Sequence, residues 1–252
     1  MGNLYLVRHG QASFGAADYD QLSPLGHQQS VRLGAYFQQQ GLIFDAVLSG
    51  TLRRHQQTYA GIREGMEASF TAGPPQGEAA PSGGSAAHVV ASVGAPLCVG
   101  VPLLWPGLNE FDSAAVIATV HPCKLEKPDT PELYRLHFQL LRDGLTQWMN
   151  GVVSPVGMPS YEEFKHGVIS ALDHVRKNCT GKVLLVSSGG PIATAIGHVL
   201  GTTPETTISL NMRIRNSAVT EFAFSPRRHT LVTFNTLPHL GQPEHANWIT
   251  HA

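Results

Sequence analysis

Short apolar runs alternate with amphipathic segments along most of the chain. The run NLYLV at residues 3–7 stops at Arg8, as expected for a buried parallel strand, and FDAVLS at 44–49 is a second run of this kind. The segments LSPLGHQQSVRLGAYFQQQG and TLRRHQQTYAGIREGMEA, which follow these two runs, have helical spacing. The order strand, helix, strand, helix predicts an α/β sheet with parallel strands.

Local signals mark where several of the helices begin and end. Ser23 is the predicted N-cap of the first helix, with Pro24 at its first position and Gly41 after its end. Ser160 and Glu163 form a capping box at the start of a later helix. These signals support the helices that the periodicity predicts.

The pattern is interrupted near residues 71–95, which are rich in Gly, Pro and Ala and show no periodicity. This composition predicts a flexible surface insertion in an otherwise single domain over residues 1–252. The elements predicted after it are a strand over 96–105, helices over 130–151 and 160–178, a strand that leads into a helix from Gly190, and an antiparallel pair over 216–237 that turns at Ser225 and Pro226.

Composition bounds the class of protein. Of the 252 residues, 42% are hydrophobic and 14% are charged, which is enough for a substantial core. The formal net charge of -1 provides no basic face for a nucleic acid. Three widely spaced cysteines form no CxxC pair, and no apolar run reaches membrane-spanning length. We therefore expect a cytoplasmic protein that binds neither nucleic acid nor a membrane, and composition leaves a homodimer open.

Basic and small polar residues follow three of the predicted strands: Arg8-His9-Gly10, the segment from Ser49 to Arg54, and the segment from Ser187 to Gly190. Ligands of an open α/β sheet bind beyond the carboxyl ends of its strands, so we expect these residues to form one site. Two guanidinium groups, those of Arg8 and Arg54, suit phosphate oxygens. A histidine beside an arginine stays neutral more readily, which makes it a competent nucleophile.

Two other chemistries are weaker interpretations of this sequence. Ser187 and Ser188 lie in VLLVSSGGPIATA (183–195), but the G-x-S-x-G nucleophile elbow is absent, so both are predicted to be turn serines. The thirteen histidines include no H-E-x-x-H motif and no paired Cys/His spacing. We therefore expect a metal-independent site without a cofactor.

The chain resembles the histidine phosphatase superfamily, which includes the cofactor-dependent phosphoglycerate mutases. Six segments carry the resemblance, in the family's order: LVRHGQAS (6–13), LSPLGHQQS (22–30), SGTLRRHQQT (49–58), LNEFD (108–112), SSGGPIATAIGHVLG (187–201) and NSAVTE (216–221). The resemblance implies a three-layer α/β/α sandwich with a mostly parallel central sheet. It also implies phosphoryl transfer through a phosphohistidine.

The resemblance implies roles for individual residues. His9 is the expected nucleophile, and Arg8 is expected to hold the phosphate. The second arginine is expected to be Arg54 rather than Arg53, because Arg54 lies four residues before Thr58, as in the family's Arg-x-x-x-Thr.

The remaining roles fall on a carboxyl and two glycines. Glu110 matches the family's proton donor, which must stay protonated to release an alkoxide, and Asp112 is the alternative. Gly10 is expected to let the backbone approach the ligand closely. The amides around Gly189, at a helix N-terminus, are expected to bind phosphate.

Ser188 is the position at which the chain departs from the family, where a histidine that hydrogen-bonds the phosphoryl group is usual. A hydroxyl donor in place of a charged one loses about 1–2 kcal/mol, which slows transfer roughly five- to thirty-fold. Ser188 is expected to bind the substrate. His55, His121 and His239 are candidate stand-ins for the missing donor.

Three functions fit this pattern. The first is a phosphatase that hydrolyses a small phosphomonoester and releases inorganic phosphate. The second is a weakened or inactive relative that binds a phosphorylated ligand, motivated by Ser188. The third is mutase-type transfer, which we rank lower because the chain shows only the shared core. Segments 11–21, 71–95 and 106–130 are expected to determine the substrate and carry no recognisable code.

Overall fold

The computed structural model describes residues 1–13, 20–71, 101–123, 125 and 130–251. Six strands form one sheet in these segments: β1 (Gly2–Arg8), β2 (Ala46–Ser49), β3 (Leu103–Leu104), β4 (Gly181–Ser187), β5 (Val219–Phe224) and β6 (His229–Thr236). The α-helices of the same segments are α1 (Pro24–Gln39), α2 (Arg53–Thr71), α3 (Ser113–Ala118), α4 (Pro131–Met149), α5 (Tyr161–Asn178), α6 (Gly189–Leu200) and α7 (Pro204–Asn211). Apart from Thr71, the predicted insertion lies outside the described residues and stays a prediction.

The strand order is β3-β2-β4-β1-β5-β6. β1 pairs in parallel with β4, and β2 pairs in parallel with β3 and β4, whereas β5 is antiparallel to both β1 and β6. Arg8 is opposite Ser187, and Ser49 is opposite Val186. The carboxyl ends of the parallel strands therefore meet at one edge of the sheet.

Helices cover both faces of this sheet. Successive residues of a strand point to opposite faces, so Leu6 and Leu185 belong to one apolar cluster while Val7 and Val186 belong to another. The first cluster packs against α5 and α6, and the second packs against α1 and α2. The predicted three-layer α/β/α sandwich with a mostly parallel sheet is thus confirmed.

The predicted helix caps are present in the structure. The Ser23 hydroxyl accepts a hydrogen bond from the Gly26 amide, and Gly41 follows α1 with a φ of +61°. The capping box at Ser160 and Glu163 forms at the start of α5.

Other boundaries differ from the prediction. Within the described part of the predicted strand 96–105, only Leu103–Leu104 is extended in the sheet; this is an edge strand with exposed side chains. The helix after β4 begins one residue earlier than predicted, at Gly189. Sequence periodicity missed α3 and α7, which have six and eight residues and are too short to show a helical repeat.

A third apolar cluster joins α3, α4 and α7 around Trp148. Phe111 packs against this cluster, which thereby supports the loop that follows β3. Within the described ranges, no helix combines the length and hydropathy needed to cross a bilayer, and no three His, Cys, Asp or Glu side chains are grouped as metal ligands.

Candidate active site

His9 lies directly after β1, and its backbone is held on two sides. Its amide donates to the Ser187 carbonyl (2.8 Å), and its carbonyl accepts from the Ser217 amide (3.2 Å). Its Nδ1 lies 2.7 Å from the Gly10 carbonyl oxygen. A carbonyl oxygen can only accept, so the neutral ring carries its hydrogen on Nδ1 and keeps a lone pair on Nε2.

The surroundings of His9 keep its ring neutral. Burial lowers the pKa of His9 well below its ordinary value, and the positive charges of Arg8 and Arg54 and the proximity of His55 lower it further. A neutral imidazole with a free Nε2 lone pair is chemically a nucleophile.

Arg8, the last residue of β1, is 6% exposed. Its Nη1 donates to the Ile214 carbonyl. A Cβ atom added to Gly189 would lie 3.8 Å from the Arg8 guanidinium carbon. The guanidinium therefore lies beside the N-terminus of α6, where backbone amides and positive charge together favour an anion.

Arg54 is the second residue of α2 and is 7% exposed, whereas Arg53 is exposed. The Arg54 Nη1 lies 2.9 Å from an Asp20 oxygen, and the other Asp20 oxygen accepts from the Arg53 amide at 2.9 Å. Sequence reasoning missed Asp20, which lies in a segment without a recognisable motif.

Thr58 explains the four-residue spacing from Arg54. Its Oγ1 donates to the Arg54 carbonyl (2.7 Å) within α2 and accepts from the Gly10 amide (3.1 Å). A Cβ on Gly10 would collide with the Gly26 carbonyl oxygen of α1. The close approach at Gly10 is therefore to another backbone segment, and its predicted contact with a ligand stays a prediction.

Glu110 lies in the loop between β3 and α3. Its two carboxyl oxygens lie 3.1 and 3.2 Å from the Gly190 amide nitrogen, which donates to them. The side chain keeps some solvent access, but surrounding protein is dense enough that burial raises its pKa, against the lowering effects of the Gly190 amide, Arg8 and Arg54. A carboxyl that holds its proton to higher pH can act as an acid.

Asp112, the alternative proton donor, has a different role in the structure. Its side chain is exposed and caps α3 by accepting from the amides of Ala114 (2.9 Å) and Ala115 (3.1 Å). The geometry therefore favours Glu110 as the acid of the two.

Ser187 and Asn109 hold the loop that carries Glu110. The Ser187 hydroxyl donates to the Leu108 carbonyl (2.7 Å). The Asn109 amide group exchanges two hydrogen bonds with Thr51, at 2.7 and 2.6 Å. These contacts attach the loop to the carboxyl ends of β2 and β4, so the role of Ser187 is structural.

Ser188 is paired with His55. Its Oγ lies 2.7 Å from the His55 Nε2, and neither residue is exposed. The ring centroids of His55 and His9 are 5.7 Å apart. Burial, followed by the charge of Arg54, lowers the pKa of His55 to about 3, so this ring is also neutral.

The other two candidate stand-ins lie elsewhere. His121 follows α3 and is partly exposed. His239 is buried, with its Nε2 2.9 Å from the hydroxyl of Ser217, whose φ of +56° is unusual for a residue other than glycine. Because the Ser217 amide donates to the His9 carbonyl, His239 is linked to the His9 backbone through Ser217.

We expect acid to destabilise the protein through His239. Burial, Arg32 and His245 lower its pKa to about 3 in the folded state, against about 6.5 when unfolded. A lowered folded-state pKa contributes stability that is present above pH 6.5 and is lost as the pH falls from 6.5 towards 3. Below pH 6, the free energy of unfolding of His239→Gln should therefore fall less steeply with decreasing pH than that of the wild type. The two slopes should differ by about 1.4 kcal/mol per pH unit. Urea unfolding between pH 7 and 4.5 measures this, and parallel pH dependences of the two proteins would contradict it.

Comparison with known protein sequences gives two matches. The model of the histidine phosphatase superfamily (branch 1) matches residues 4–74 and 125–237. A broad-specificity phosphatase from Saccharomyces cerevisiae is 32% identical over 81 residues, which cover 28% of this chain and 35% of the yeast protein. The match thus spans about a third of that relative's length.

Solved structures are similar over nearly the whole chain. YhfR from Bacillus stearothermophilus has a TM-score of 0.60 at 15% identity, covering 95% of this chain and 99% of that one. A mycobacterial glucosyl-3-phosphoglycerate phosphatase has a TM-score of 0.58 at 17% identity (94% and 99% covered). Phosphoserine phosphatase from Entamoeba histolytica has 0.57 at 19% identity (95% and 100% covered). At these identities the likeness shows the fold.

Proposed function

The chain belongs to the histidine phosphatase superfamily, and on that premise we propose that it is a phosphatase that hydrolyses a small phosphomonoester through a phosphohistidine at His9. The observation that carries the proposal is the state of the His9 ring. Its Nδ1 hydrogen is engaged by the Gly10 carbonyl, and its pKa is lowered, so Nε2 is available as a nucleophile beside Arg8 and Arg54.

In the first step, the lone pair of His9 Nε2 forms a bond to phosphorus. The phosphorus–oxygen ester bond breaks, its electron pair passes to the leaving oxygen, and the protonated Glu110 carboxyl donates a proton to that oxygen. The guanidinium groups of Arg8 and Arg54 balance the charge of the non-bridging oxygens. The alcohol leaves, and the ring carries a phosphoryl group on Nε2.

In the second step, water attacks the phosphoryl group. Glu110, now a carboxylate, accepts a proton from this water. The nitrogen–phosphorus bond breaks, its electrons return to His9 Nε2, and inorganic phosphate is released. The Gly10 carbonyl stabilises the ring through both steps because the Nδ1 hydrogen bond strengthens when the ring is positively charged.

Ser188 favours a second candidate function, a protein that binds a phosphorylated ligand without turnover. The hydroxyl of Ser188 and the neutral His55 ring add no third positive charge to Arg8 and Arg54. Reduced charge lowers the stabilisation of the transferring group and leaves phosphate binding to the two arginines.

Assays on a panel of small phosphomonoesters test the proposal. We expect release of inorganic phosphate, together with an acid-labile phosphoryl group on the protein that survives an alkaline quench. Transfer of the phosphoryl group to a second alcohol instead of water would identify a mutase. Vanadate binding with neither phosphate release nor a phosphoenzyme would identify the binding protein.

We also propose a cytoplasmic location for this activity. Cys123 and Cys179 are free thiols, and the three cysteines of the chain are widely spaced. The partners that we propose are the small phosphorylated substrate and its product, inorganic phosphate.

A further inference from the structure

Ser188 occupies the N-cap position of α6, but its hydroxyl does not cap the helix. In α1, α4, α5 and α7, the N-cap side chain accepts a backbone hydrogen bond from the first turn. In α6 the carboxyl of Glu110 accepts from the Gly190 amide, and Pro191 has no N–H to offer. The Ser188 hydroxyl is thereby released from capping and lies 2.7 Å from His55 Nε2.

The hydrogen shared by this pair can be assigned from its surroundings. The neutral His55 ring carries one hydrogen, and its Nδ1 is buried with no hydrogen-bond partner among the described residues. Gly50 packs so closely that a Cβ there would collide with this nitrogen. A buried N–H without an acceptor is less tolerable than an unused lone pair. The hydrogen therefore lies on Nε2, which donates to the Ser188 hydroxyl.

A hydroxyl that accepts from Nε2–H keeps its own hydrogen for a second acceptor. Hydrogen bonds that follow one another in a chain also strengthen one another. The pair lies within the phosphoryl site, because the His55 ring is 5.7 Å from the His9 ring and Gly189 lies beside Arg8. A phosphoryl oxygen bound at or near His9 would be the acceptor for the hydrogen of the Ser188 hydroxyl.

We propose that His55 is a positioning residue of the phosphoryl site. Its Nε2–H orients the Ser188 hydroxyl, which donates its hydrogen to a phosphoryl oxygen. The inference rests on the proposed phosphoryl-transfer site at His9. The relay consists of two neutral residues at the place where the family resemblance implies one histidine. It adds a donor without adding a third positive charge beside Arg8 and Arg54.

A double-mutant cycle tests the relay. We expect Ser188→Ala and His55→Leu each to lower kcat roughly 10- to 100-fold, because either change removes the oriented donor. The double variant should be within about threefold of the slower single variant, since the two residues act as one unit. His55→Gln offers an amide N–H near the position of Nε2, and it should recover most of the activity that His55→Leu loses.

His239→Leu is the matched control, because it also removes a buried His–Ser hydrogen bond. In the double variant with Ser188→Ala, the fold-losses in kcat of the two single substitutions should multiply, as expected for residues that act independently. Thermal unfolding of every variant identifies any that has lost its fold. If His55 has a purely structural role, the fold-losses in kcat of His55→Leu and Ser188→Ala should multiply in the double variant, as they do for the control. That result would overturn the relay.

Vanadate affinity, measured on the same proteins, needs no turnover. Suppose that the wild type releases no phosphate, that Ser188→Ala and His55→Leu each lower vanadate affinity, and that the double variant loses no more than the weaker single variant. Hydrolysis is then refuted and the relay stands. If the wild type hydrolyses esters and His55→Leu keeps both kcat and vanadate affinity, the relay is refuted and hydrolysis stands.

Discussion

His9→Ala should abolish the acid-labile phosphoenzyme and lower the rate of phosphate release by at least about 10³-fold. The substitution removes the nitrogen that we propose forms the bond to phosphorus, whereas Arg8 and Arg54 keep their places at the strand and helix ends. Loss of the nucleophile should therefore affect kcat far more than the affinity for inorganic phosphate or vanadate. Steady-state kinetics and an alkaline-quench phosphorylation assay measure the two effects.

His121→Ala is a suitable control for this experiment, because His121 is a partly exposed histidine after α3. It should keep both the phosphoenzyme and the rate. Added imidazole should restore part of the activity of His9→Ala, since the space vacated by the ring still faces the Gly10 carbonyl that held Nδ1–H. Hydrolysis of an aryl phosphate by His9→Ala at the wild-type rate would refute the phosphohistidine.

The parts of the site that could be predicted from the sequence are those that follow from strand ends. Arg8 and His9 follow an apolar run, and Ser187 follows another, so a parallel sheet must bring them together. The choice of Arg54 over Arg53 rested on the spacing to Thr58, and the structure gives that spacing a physical cause in the hydrogen bond from Thr58 to the Arg54 carbonyl.

The parts that could not be predicted depend on contacts between distant segments. The His55–Ser188 hydrogen bond joins residues 133 positions apart, and neither residue type signals its partner. Asp20 contacts Arg54, and Ser217 contacts His9, across long stretches of chain, and no sequence periodicity predicts these contacts. The sequence could name His55 only as one of three candidates, because its place beside Ser188 depends on how α2 packs against β4.

Glu110→Gln should separate substrates by the quality of their leaving groups. For an alkyl phosphate, whose alkoxide needs a proton, we expect a loss of about 10²- to 10⁴-fold in kcat. For p-nitrophenyl phosphate, whose leaving group departs as an anion, phosphorylation of His9 should be much less affected. Glutamine keeps an oxygen that can accept from the Gly190 amide, so the N-terminus of α6 should retain its partner. Burst kinetics separate this step from hydrolysis of the phosphoenzyme.

The pH dependence of the same variant distinguishes proton donation from positioning. Burial raises the pKa of Glu110, so the acid form persists above the usual carboxyl range, and the rate with an alkyl phosphate should fall as the pH rises through that pKa. Glu110→Gln cannot titrate there and should lose this descending limb. Asp112→Asn, which changes only the exposed cap of α3, should keep it. Equal losses with alkyl and aryl phosphates and an unchanged pH profile would mean that Glu110 holds the Gly190 amide in place and that the leaving oxygen takes its proton from another group.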